Sequence, residues 1–479
     1  MLRFGTGGWR AIIGDEFTRD NIESLAQTIA NYINNQADTV KPAGFVIGYD
    51  RRFLSQRAAV WMSEIIAANG LNVYLINEVA PTPLIMYTID SYGLTYGLAV
   101  TASHNSSDYN GVKFFVDGGK DAPQEITDQI ETEWNRLMPD EIKRVEYEAA
   151  KSLGKIQIID PFNNYIDNIL GSIELEKIKE RRLKVLIDPM HGVSRTCLAA
   201  VLVSARCQVD VINDRHDPLF GGRLPSPSAN TLNKLKDMVV ERGYDLGIAT
   251  DGDADRLGII DELGNFIHPN DILVLLYYYL LEYKQIKGSV VRNIATTHLL
   301  DRIAADYGQA CYEVPVGFKH ISSAMEEYQA IIGGESSGGL TINGRIRGKD
   351  GIFAAALMTE LISVTGKNLS GLLEEIHNRY GQLWSEERDY SFSERRKKEL
   401  YRILFEEKKL PAYLESVKHI SYLDGVKVYF QNDGWIIARF SGTEPVLRIF
   451  AEMESKEEAI QVVEQMETFL ELNQVKAAI

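Results

Sequence analysis

The sequence predicts an α/β protein of several domains, and three observations support this prediction. Apolar, β-rich runs alternate along the chain with segments of helical periodicity, which is the pattern of an α/β fold. One order of segments occurs three times, and each time the last apolar run ends in an unusual polar loop. The chain has 479 residues, more than one hydrophobic core holds, so we expect three or four domains.

Each repeat has two apolar runs separated by a helical stretch, and a third run that leads into the loop. The runs cover residues 44–48, 72–76 and 96–100, then 184–187, 208–212 and 245–249, then 288–291, 310–314 and 330–332. The loops cover residues 101–105, 251–256 and 333–339. Ligands of open α/β sheets gather beyond the carboxyl ends of strands, so three related domains around one cleft would bring these loops together. Three unrelated α/β segments are the alternative, which the apolar runs alone do not exclude.

The last part of the chain has a different pattern. Residues 389–409 are highly charged and predict a linker followed by a helix. Three alternating segments and a helical stretch then predict a small α+β domain; these cover residues 426–430, 434–439, 446–451 and 455–472. We place the domains at residues 1–150, 151–262, 263–382 and 383–479.

Charge and composition restrict the partners and the location. The formal charge is −16, from 51 basic and 67 acidic residues, which argues against nucleic acid or an anionic membrane as a partner. The three cysteines have no metal-type spacing, and we expect free thiols in a reducing cytoplasm. The N-terminus lacks the apolar region of a signal peptide. The strongest apolar run, residues 272–281, is about half the length that spans a bilayer and predicts a buried helix.

The first loop contains the candidate carrier of a transferred group. An apolar run delivers Ser103 into a polar, turn-prone loop, His104 follows directly, and Lys113 comes ten residues later. A phosphoryl group on this serine would add nearly two negative charges and three strong acceptors. The chain would then have to supply a cation, a phosphate clamp and a sugar-binding segment.

The second loop predicts a metal site. Asp251, Asp253 and Asp255 offer hard oxygen ligands at a spacing that suits Mg²⁺, and Arg256 could pair with a phosphoryl oxygen beside the metal. An EF-hand is excluded because Arg256 stands where glycine is needed and strand-like runs flank the loop. An acidic surface turn is the remaining alternative.

Three further segments could hold a phosphosugar. In the glycine-rich third loop, Glu335 and Ser337 could bind neighbouring hydroxyls, although the loop could also be a flexible turn. Near the C-terminus, hydroxyls, amides and guanidiniums resemble an anion nest, with a strand end as the alternative; its residues are Arg439, Ser441, Gly442, Thr443 and Arg448. Arg10 ends a Gly/Thr loop, and Lys113 and Lys319 lie near candidate loops.

Taken together, these segments resemble the α-D-phosphohexomutase family, the phosphoglucomutase and phosphomannomutase group, in order over nearly the whole chain. The resemblance implies three related α/β domains with mixed sheets and a C-terminal α+β domain around a central cleft. It implies a phosphorylated Ser103 and an Mg²⁺ ion bound by that group and by Asp251, Asp253 and Asp255. It also implies that a phosphosugar contacts the third loop and the C-terminal nest. The remaining matches surround the reacting phosphoryl group; they are Arg10, His104, Lys113 and Arg256.

The resemblance implies interconversion of hexose 1-phosphate and hexose 6-phosphate through a hexose 1,6-bisphosphate, with glucose 1,6-bisphosphate as activator. We expect a monomer or a homodimer. Lys113 is the candidate general base, supported by His104, because nearby cations could lower its pKa.

Two departures from the family pattern bear on the loops and the sugar. Ser106 replaces a proline, which we expect to loosen the serine loop. Gly339 replaces a histidine of many mannose-active and glucosamine-active members, and Phe318 with Lys319 is similar to glucose-type members. Glucose is therefore favoured, with mannose possible.

The alternatives are a phosphoglucosamine mutase and a non-catalytic sugar-phosphate scaffold. A Ser-His hydrolase would need a Gly-x-Ser-x-Gly elbow, which Ser103 lacks.

Overall fold

The computed structural model describes residues 3–5, 7–36, 44–413, 415–441 and 446–472, and these residues form four β-sheets. The first is a mixed seven-stranded sheet with helices formed by apolar, amphipathic segments. Its elements are β1 (Trp9–Ile12), α1 (Arg19–Asn35), β2 (Phe45–Tyr49), α2 (Ser55–Ala68), β3 (Val73–Ile76), α3 (Thr82–Ser91), β4 (Tyr96–Val100), β5 (Tyr109–Val116), β6 (Lys120–Asp121), α4 (Gln124–Trp134), α5 (Tyr147–Ser152) and β7 (Ile156–Ile159).

The second and third sheets have five and four strands. The second unit contains α6 (Phe162–Leu170), α7 (Leu175–Arg181), β8 (Lys184–Asp188), α8 (Arg195–Ser204), β9 (Gln208–Val211), α9 (Asn233–Arg242), β10 (Leu246–Thr250), β11 (Leu257–Ile260) and β12 (Phe266–Ile267). The third contains α10 (Pro269–Glu282), β13 (Val290–Asn293), α11 (Leu299–Asp306), β14 (Cys311–Val314), α12 (Phe318–Tyr328), β15 (Ile332–Gly334), β16 (Leu340–Ile342), α13 (Gly351–Thr365) and α14 (Leu369–Tyr380).

The three sheets share one topology, which confirms the threefold repeat. The common orders are β3-β2-β4-β5, β9-β8-β10-β11 and β14-β13-β15-β16. In each, the first two pairings are parallel and the last is antiparallel. The sheets are therefore mixed, as the resemblance implies. The first two polar loops follow the third strand of their sets, at the carboxyl end where functional groups collect, whereas the third begins inside its strand, because β15 continues to Gly334.

The domain limits follow from sheet membership. β7 pairs with β3 of the first sheet although it lies beyond residue 150, and β12 pairs with β11 of the second sheet beyond residue 262. A domain boundary at residue 150 would separate β7 from β3, and one at residue 262 would separate β12 from β11. We therefore propose boundaries near residues 160 and 268 in place of 150 and 262.

The fourth sheet is antiparallel and carries the C-terminal nest. Its elements are β17 (Trp384–Ser391), α15 (Glu394–Tyr401), β18 (Val417–Ser421), β19 (Val426–Phe430), β20 (Trp435–Phe440), β21 (Val446–Met453) and α16 (Lys456–Phe469). The predicted linker at residues 389–409 is wrong at its start, because β17 continues to Ser391. β17 and β18 escape prediction because their sequences are charged and largely solvent-facing.

Two smaller expectations are also settled. The apolar run at residues 272–281 lies in α10, which is buried almost throughout and starts with a proline at its first turn. Among the described residues, no helix combines the length and the apolar character that crossing a bilayer requires. Cys197, Cys207 and Cys311 are free thiols, as expected.

A buried polar contact joins the fourth domain to the third. Lys427 on β19 is fully buried, and its Nζ donates to the Ile294 carbonyl and to the Glu313 carboxylate, both at 2.7 Å. The same ammonium lies 4.2 Å from the centre of the Trp435 ring. Because Arg439 lies on the next strand, this contact also fixes where the nest stands relative to the third domain.

We predict that Lys427→Met lowers the free energy of unfolding by about 3 kcal/mol, because loss of one partner leaves the other buried polar groups with fewer partners. Thermal unfolding and limited proteolysis of the fourth domain would measure the change. Lys418→Met is the matched control, since the Lys418–Asp433 pair is exposed and should contribute less than about 1 kcal/mol. Equal stability of the two variants would contradict the assignment of Lys427 as the anchor.

Candidate active site

Ser103 has a strained backbone and a directed side chain. Its φ is +54°, in the left-handed region, which costs a non-glycine residue about 1–3 kcal/mol. The residue is buried, and its amide donates to the Thr101 hydroxyl at 2.8 Å. Its Oγ donates to Asp251 Oδ2 at 2.8 Å and lies 3.3 Å from His104 Nδ1. The turn therefore directs this hydroxyl at the loop of the second domain.

Arg52 holds the serine loop in this conformation. Its guanidinium donates to four carbonyl oxygens of the loop, those of Ser103, Asn105, Ser106 and Tyr109, at 2.6 to 2.9 Å. The contact to the Ser106 carbonyl fixes the position where a loosened loop was expected. Charge-assisted bonds of this kind are stronger than neutral ones and can offset the strain at Ser103.

Asp50 pairs with Arg52 and accepts hydrogen bonds from two neighbouring hydroxyls. The carboxylate of Asp50 lies 3.3 Å from Arg52 Nε and accepts the Thr101 hydroxyl at 2.6 Å and the Ser55 hydroxyl at 2.7 Å. Both Asp50 and Arg52 follow β2, so two loops at the same sheet edge are tied together. Sequence reasoning missed these residues, although their position directly after an apolar run is the same signal that identified Ser103.

The aspartate loop lies between β10 and β11, and all three carboxylates are fully buried. One oxygen from each of Asp251, Asp253 and Asp255 lies within 4.8 Å of the others. Asp251 Oδ1 also accepts the amides of Asp255 and Arg256 at 3.0 Å, which shapes the turn. The flanking strands confirm that this loop is not an EF-hand.

Cations from two other domains offset this buried charge. Lys113 on β5 donates to Asp253 Oδ2 and Asp255 Oδ2, both at 2.6 Å. Lys349, from the third domain, lies 2.7 Å from Asp255 Oδ2. Thr82 adds a hydroxyl bond to Asp253 Oδ2 at 2.6 Å. The sequence does not point to Lys349 or Thr82, because neither belongs to a polar loop that ends a repeated strand.

The electrostatics contradict one expectation about Lys113. Burial lowers its pKa, but the neighbouring charges of Asp253 and Asp255 raise it more, and the net pKa lies above the ordinary value. The prediction of a lowered pKa is therefore wrong for the metal-free site, because the two carboxylates that contact the ammonium outweigh burial. Burial, together with the positive charges of Arg256 and Arg10, holds the pKa of His104 well below its usual range, so His104 is neutral at pH 7.

The three carboxylates fit a hard divalent cation. The buried Oδ1 atoms of Asp253 and Asp255 have no hydrogen-bond partner, although nearly all buried polar atoms in proteins have one. Burial and the charges of Asp255 and Asp253 raise the pKa of Asp251, so binding of a cation would relieve a real electrostatic cost. Asp251, Asp253 and Asp255 could hold a metal ion, with Ser103 Oγ beside them.

Arg10 and Arg256 are two further cations near the serine loop and the aspartate loop. Arg10 lies on β1 and donates to the side-chain oxygen of Asn105 in the serine loop. Burial and the nearby charge of Arg256 lower the pKa of Arg10. The Nε atom of Arg256 is buried without a hydrogen-bond partner, as expected of a group that is directed at an anion.

The predicted sugar loop joins β15 to β16 and is held by hydrogen bonds. Glu335 is buried, and its carboxylate accepts the Gly317 amide at 3.0 Å and the Asn293 side chain at 3.2 Å. Ser337 is exposed two residues later. The Glu335 amide donates to the Gly339 carbonyl at 2.9 Å, so the loop is a hydrogen-bonded turn between β15 and β16. Lys319 bonds to Gln124 of the first domain and links the two domains beside the loop.

The nest residues Arg439 and Arg448 are direct cross-strand partners on β20 and β21. Two guanidiniums so close repel each other, and acids offset the repulsion: Asp424 lies 2.9 Å from Arg439 Nε, and Asp389 lies 3.5 Å from Arg448 Nε. Asp424 also accepts the amide of Val316, which precedes the Gly317 amide bound by Glu335. Arg439 is thus joined to the sugar loop.

The other predicted nest residues are Ser441, Gly442 and Thr443. The Ser441 amide donates to the Val446 carbonyl at 2.8 Å, at the end of the β20–β21 pair. Gly442 and Thr443 lie outside the described residues.

Comparison with known proteins supports this arrangement. Four family models match the chain in order: phosphoglucomutase/phosphomannomutase α/β/α domains I, II and III at residues 1–140, 163–264 and 268–380, and the C-terminal domain at residues 400–468. The phosphoglucomutase/phosphomannomutase of Thermococcus kodakarensis is 30% identical over 96% of both chains. The phosphoglucosamine/phosphogalactosamine mutase of Sulfurisphaera tokodaii is 29% identical over 98% of this chain and 99% of its own. The crystal structure of a putative phosphomannomutase from Thermus thermophilus superposes with a TM-score of 0.84 at 28% identity, covering 98% of this chain and 99% of that one.

We predict that Arg52→Lys loosens the serine loop without unfolding the protein. A lysine keeps the positive charge beside Asp50 but cannot donate to four carbonyl oxygens. The free energy of unfolding should therefore fall by about 2 kcal/mol. Hydrogen exchange of the amides at residues 103–109 should quicken by about tenfold or more, as measured by mass spectrometry. Arg57→Lys on the exposed face of α2 is the control, and unchanged exchange in Arg52→Lys would refute the role.

We predict that Asp253→Asn weakens binding of Mg²⁺ by more than about tenfold, because loss of an outer-shell partner alone costs a metal site that much. Calorimetric titration with Mg²⁺ would measure the change. Asp237→Asn, on the exposed face of α9, should bind like the parent protein. Equal affinity in both variants would place the metal elsewhere.

Proposed function

Because this chain belongs to the phosphoglucomutase/phosphomannomutase family of intramolecular phosphotransferases, we propose that it interconverts hexose 1-phosphate and hexose 6-phosphate through a phosphorylated Ser103. The observation that supports this most directly is the 2.8 Å contact between Ser103 Oγ and Asp251. It sets a hydroxyl on a strained turn against three buried carboxylates that belong to another domain.

In the proposed reaction the phosphoryl group moves between two oxygens. The bond from phosphorus to Ser103 Oγ breaks, and a bond forms from phosphorus to the free hydroxyl of the bound hexose monophosphate. The proton that this hydroxyl loses ends on Ser103 Oγ, which is again a hydroxyl, and the product is a hexose 1,6-bisphosphate. The bisphosphate reverses its orientation, and Ser103 takes the other phosphoryl group. Glucose 1,6-bisphosphate would therefore act as intermediate and as activator.

The chain's own groups have separable roles in this proposal. Arg10 and Arg256 offset charge on the moving phosphoryl group, and Lys113 keeps its positive charge beside Asp253 and Asp255. His104 Nδ1, 3.3 Å from Ser103 Oγ, is placed to exchange a proton with that oxygen. When bound by the three aspartates, Mg²⁺ would supply Lewis-acid stabilisation of the phosphoryl oxygens.

The third and fourth domains would bind the end of the substrate that does not react. Glu335 and Ser337 would bind sugar hydroxyls, and Lys319 would add a positive charge beside them. The nest would hold the second phosphate through Arg439, Ser441, Gly442, Thr443 and Arg448. Because Asp424 links Arg439 to the segment that Glu335 binds, both substrate ends would be positioned together.

For the sugar itself, we propose glucose phosphate as the main substrate and mannose phosphate as a second one. Gly339 and the Phe318–Lys319 pair favour this choice over glucosamine phosphate. A phosphoglucosamine mutase is the second candidate, because several similar relatives are named as probable phosphoglucosamine mutases, including the protein of Methanobrevibacter smithii at 32% identity. The partner in either case is a small phosphosugar, with no role for nucleic acid or a membrane, and the protein acts as a monomer or homodimer.

We predict that Ser103→Ala lowers mutase turnover by several orders of magnitude while the protein stays folded, since the hydroxyl that carries the phosphoryl group is lost. Turnover is measured on glucose, mannose and glucosamine 1-phosphates with trace glucose 1,6-bisphosphate. Intact mass should show one phosphate on the parent protein and none on the variant. Near-normal activity of Ser103→Ala would contradict the proposal. The relative turnover of the three sugar 1-phosphates decides between a glucose or mannose enzyme and a phosphoglucosamine mutase.

A further inference from the structure

Phe220 is a large buried side chain whose burial no apolar core explains. It lies in the segment at residues 217–227, between β9 and α9, and is 2% exposed, whereas Leu219 and Leu224 of the same segment are 62% and 51% exposed. Within the part of the chain that the structure describes, Phe220 belongs to none of the hydrophobic clusters. Its burial therefore has another cause than the packing of apolar side chains against one another.

The backbone of Phe220 is held in an unusual conformation. Its φ is +52°, and Gly221 and Gly222 follow with φ of +66° and +72°. A left-handed conformation is an outlier for a bulky residue. The Phe220 amide donates to the Asp217 carbonyl at 3.0 Å, and the Gly221 amide donates to Asp217 Oδ2 at 3.2 Å, so the turn is fixed by hydrogen bonds. The turn thus directs this one side chain inward.

The partner of the ring is a guanidinium of the first domain. The guanidinium carbon of Arg52 lies over the Phe220 ring, 4.8 Å from its centre. Because the donors of a guanidinium lie in its plane, Arg52 can bond to the carbonyls of the serine loop and still stack on an aromatic ring. Such a cation–π contact is strongest where water is excluded, and Arg52 is 3% exposed. Phe220 therefore adds a contact that does not compete with the four hydrogen bonds of Arg52.

The ring also lies beside the aspartate loop. A Cβ atom at Gly252 would stand 3.6 Å from Phe220 Cε1 and 2.6 Å from the Ser103 carbonyl oxygen, so the ring and the two loops meet at this glycine. The Gly252 amide donates at 3.2 Å to the carbonyl of Pro225, which belongs to the same segment as Phe220. Arg52 Nη2 donates to the Ser103 carbonyl at 2.7 Å. One segment of the second domain therefore contacts the aspartate loop and the residue that holds the serine loop.

We infer that Phe220 is a positioning residue, which holds the Arg52 guanidinium by a cation–π contact and so couples the aspartate loop to the conformation of Ser103. For its effect on phosphoryl transfer, the inference rests on the proposed function. Phe220 acts through Arg52 and not on the substrate. By holding the guanidinium from the second domain, it keeps Ser103 Oγ directed at Asp251, and a displacement of about 1 Å at a reacting group is enough to slow a reaction strongly.

Fluorinated phenylalanines at residue 220 test this contact with little change in the shape of the side chain. Added ring fluorines withdraw electron density from the face of the ring and so weaken its attraction for a cation. The rate at which dephosphorylated Ser103 gains mass from glucose 1,6-bisphosphate should fall with each added fluorine, and trifluorination should lower it by about tenfold. The same series at Phe430, which packs against Tyr413 in the fourth domain, is the matched control and should leave this rate unchanged.

A second measurement does not depend on the reaction. Phe220→Leu keeps an apolar side chain but removes the aromatic face, so hydrogen exchange of the amides at residues 103–109 should quicken by about tenfold. Added to Arg52→Lys, it should change exchange little further, because Phe220 acts through that guanidinium. Leu224→Ala, at an exposed position of the same segment, is the control and should leave exchange unchanged. Thermal unfolding establishes that each variant is folded.

The outcomes distinguish this inference from the proposed function. Equal rates along the fluorine series would overturn the cation–π contact, and unchanged exchange in a folded Phe220→Leu would overturn the positioning role. Either result in an active parent protein leaves the mutase proposal standing. A parent protein that neither turns over a phosphosugar nor accepts phosphate on Ser103 would overturn the mutase proposal, while hydrogen exchange would still decide whether Phe220 holds the serine loop.

Discussion

Three carboxylates lie buried within 4.8 Å of one another between β10 and β11, and the rest of the site depends on how that charge is offset. Isolated buried charges are costly unless they are paired or bind a metal. Here the partners come from outside the second domain: Ser103 and Lys113 from the first, and Lys349 from the third. The aspartate loop is therefore both a candidate metal site and the point at which three domains are held together.

The serine loop shows how strain and support are combined at this meeting point. A left-handed Ser103 is unfavourable by itself, yet one buried guanidinium fixes four carbonyls around it. Asp50 then prevents that guanidinium from being an unpaired buried charge. The hydroxyl is directed before any substrate arrives, and preorganisation of this kind is a main source of catalytic stabilisation.

The sequence was sufficient for the fold class and for the loops that follow repeated strands. Ser103, Asp251 and Glu335 could be found because each follows an apolar run whose periodicity is visible locally. Thr82 and Lys349 could not be assigned a role, because their partners are distant in sequence and only packing brings them together, whereas Arg52 follows an apolar run and was overlooked. The pKa of Lys113 was predicted in the wrong direction for the same reason, since it depends on which charges are nearest. β17 and β18 were missed because exposed, charged strands lack the apolar alternation that marks a strand.

The shared strand order of the first three sheets has a consequence for the history of this architecture. Three copies of one supersecondary unit are what tandem duplication of an ancestral module would leave behind. Each copy has kept its scaffold, while the segment after the third strand diverged into the serine loop, the aspartate loop or the glycine-rich loop. One loop can therefore accumulate substitutions without disturbing the other two. The equivalent loops of the three domains are thus the natural place for new substrate preferences to arise.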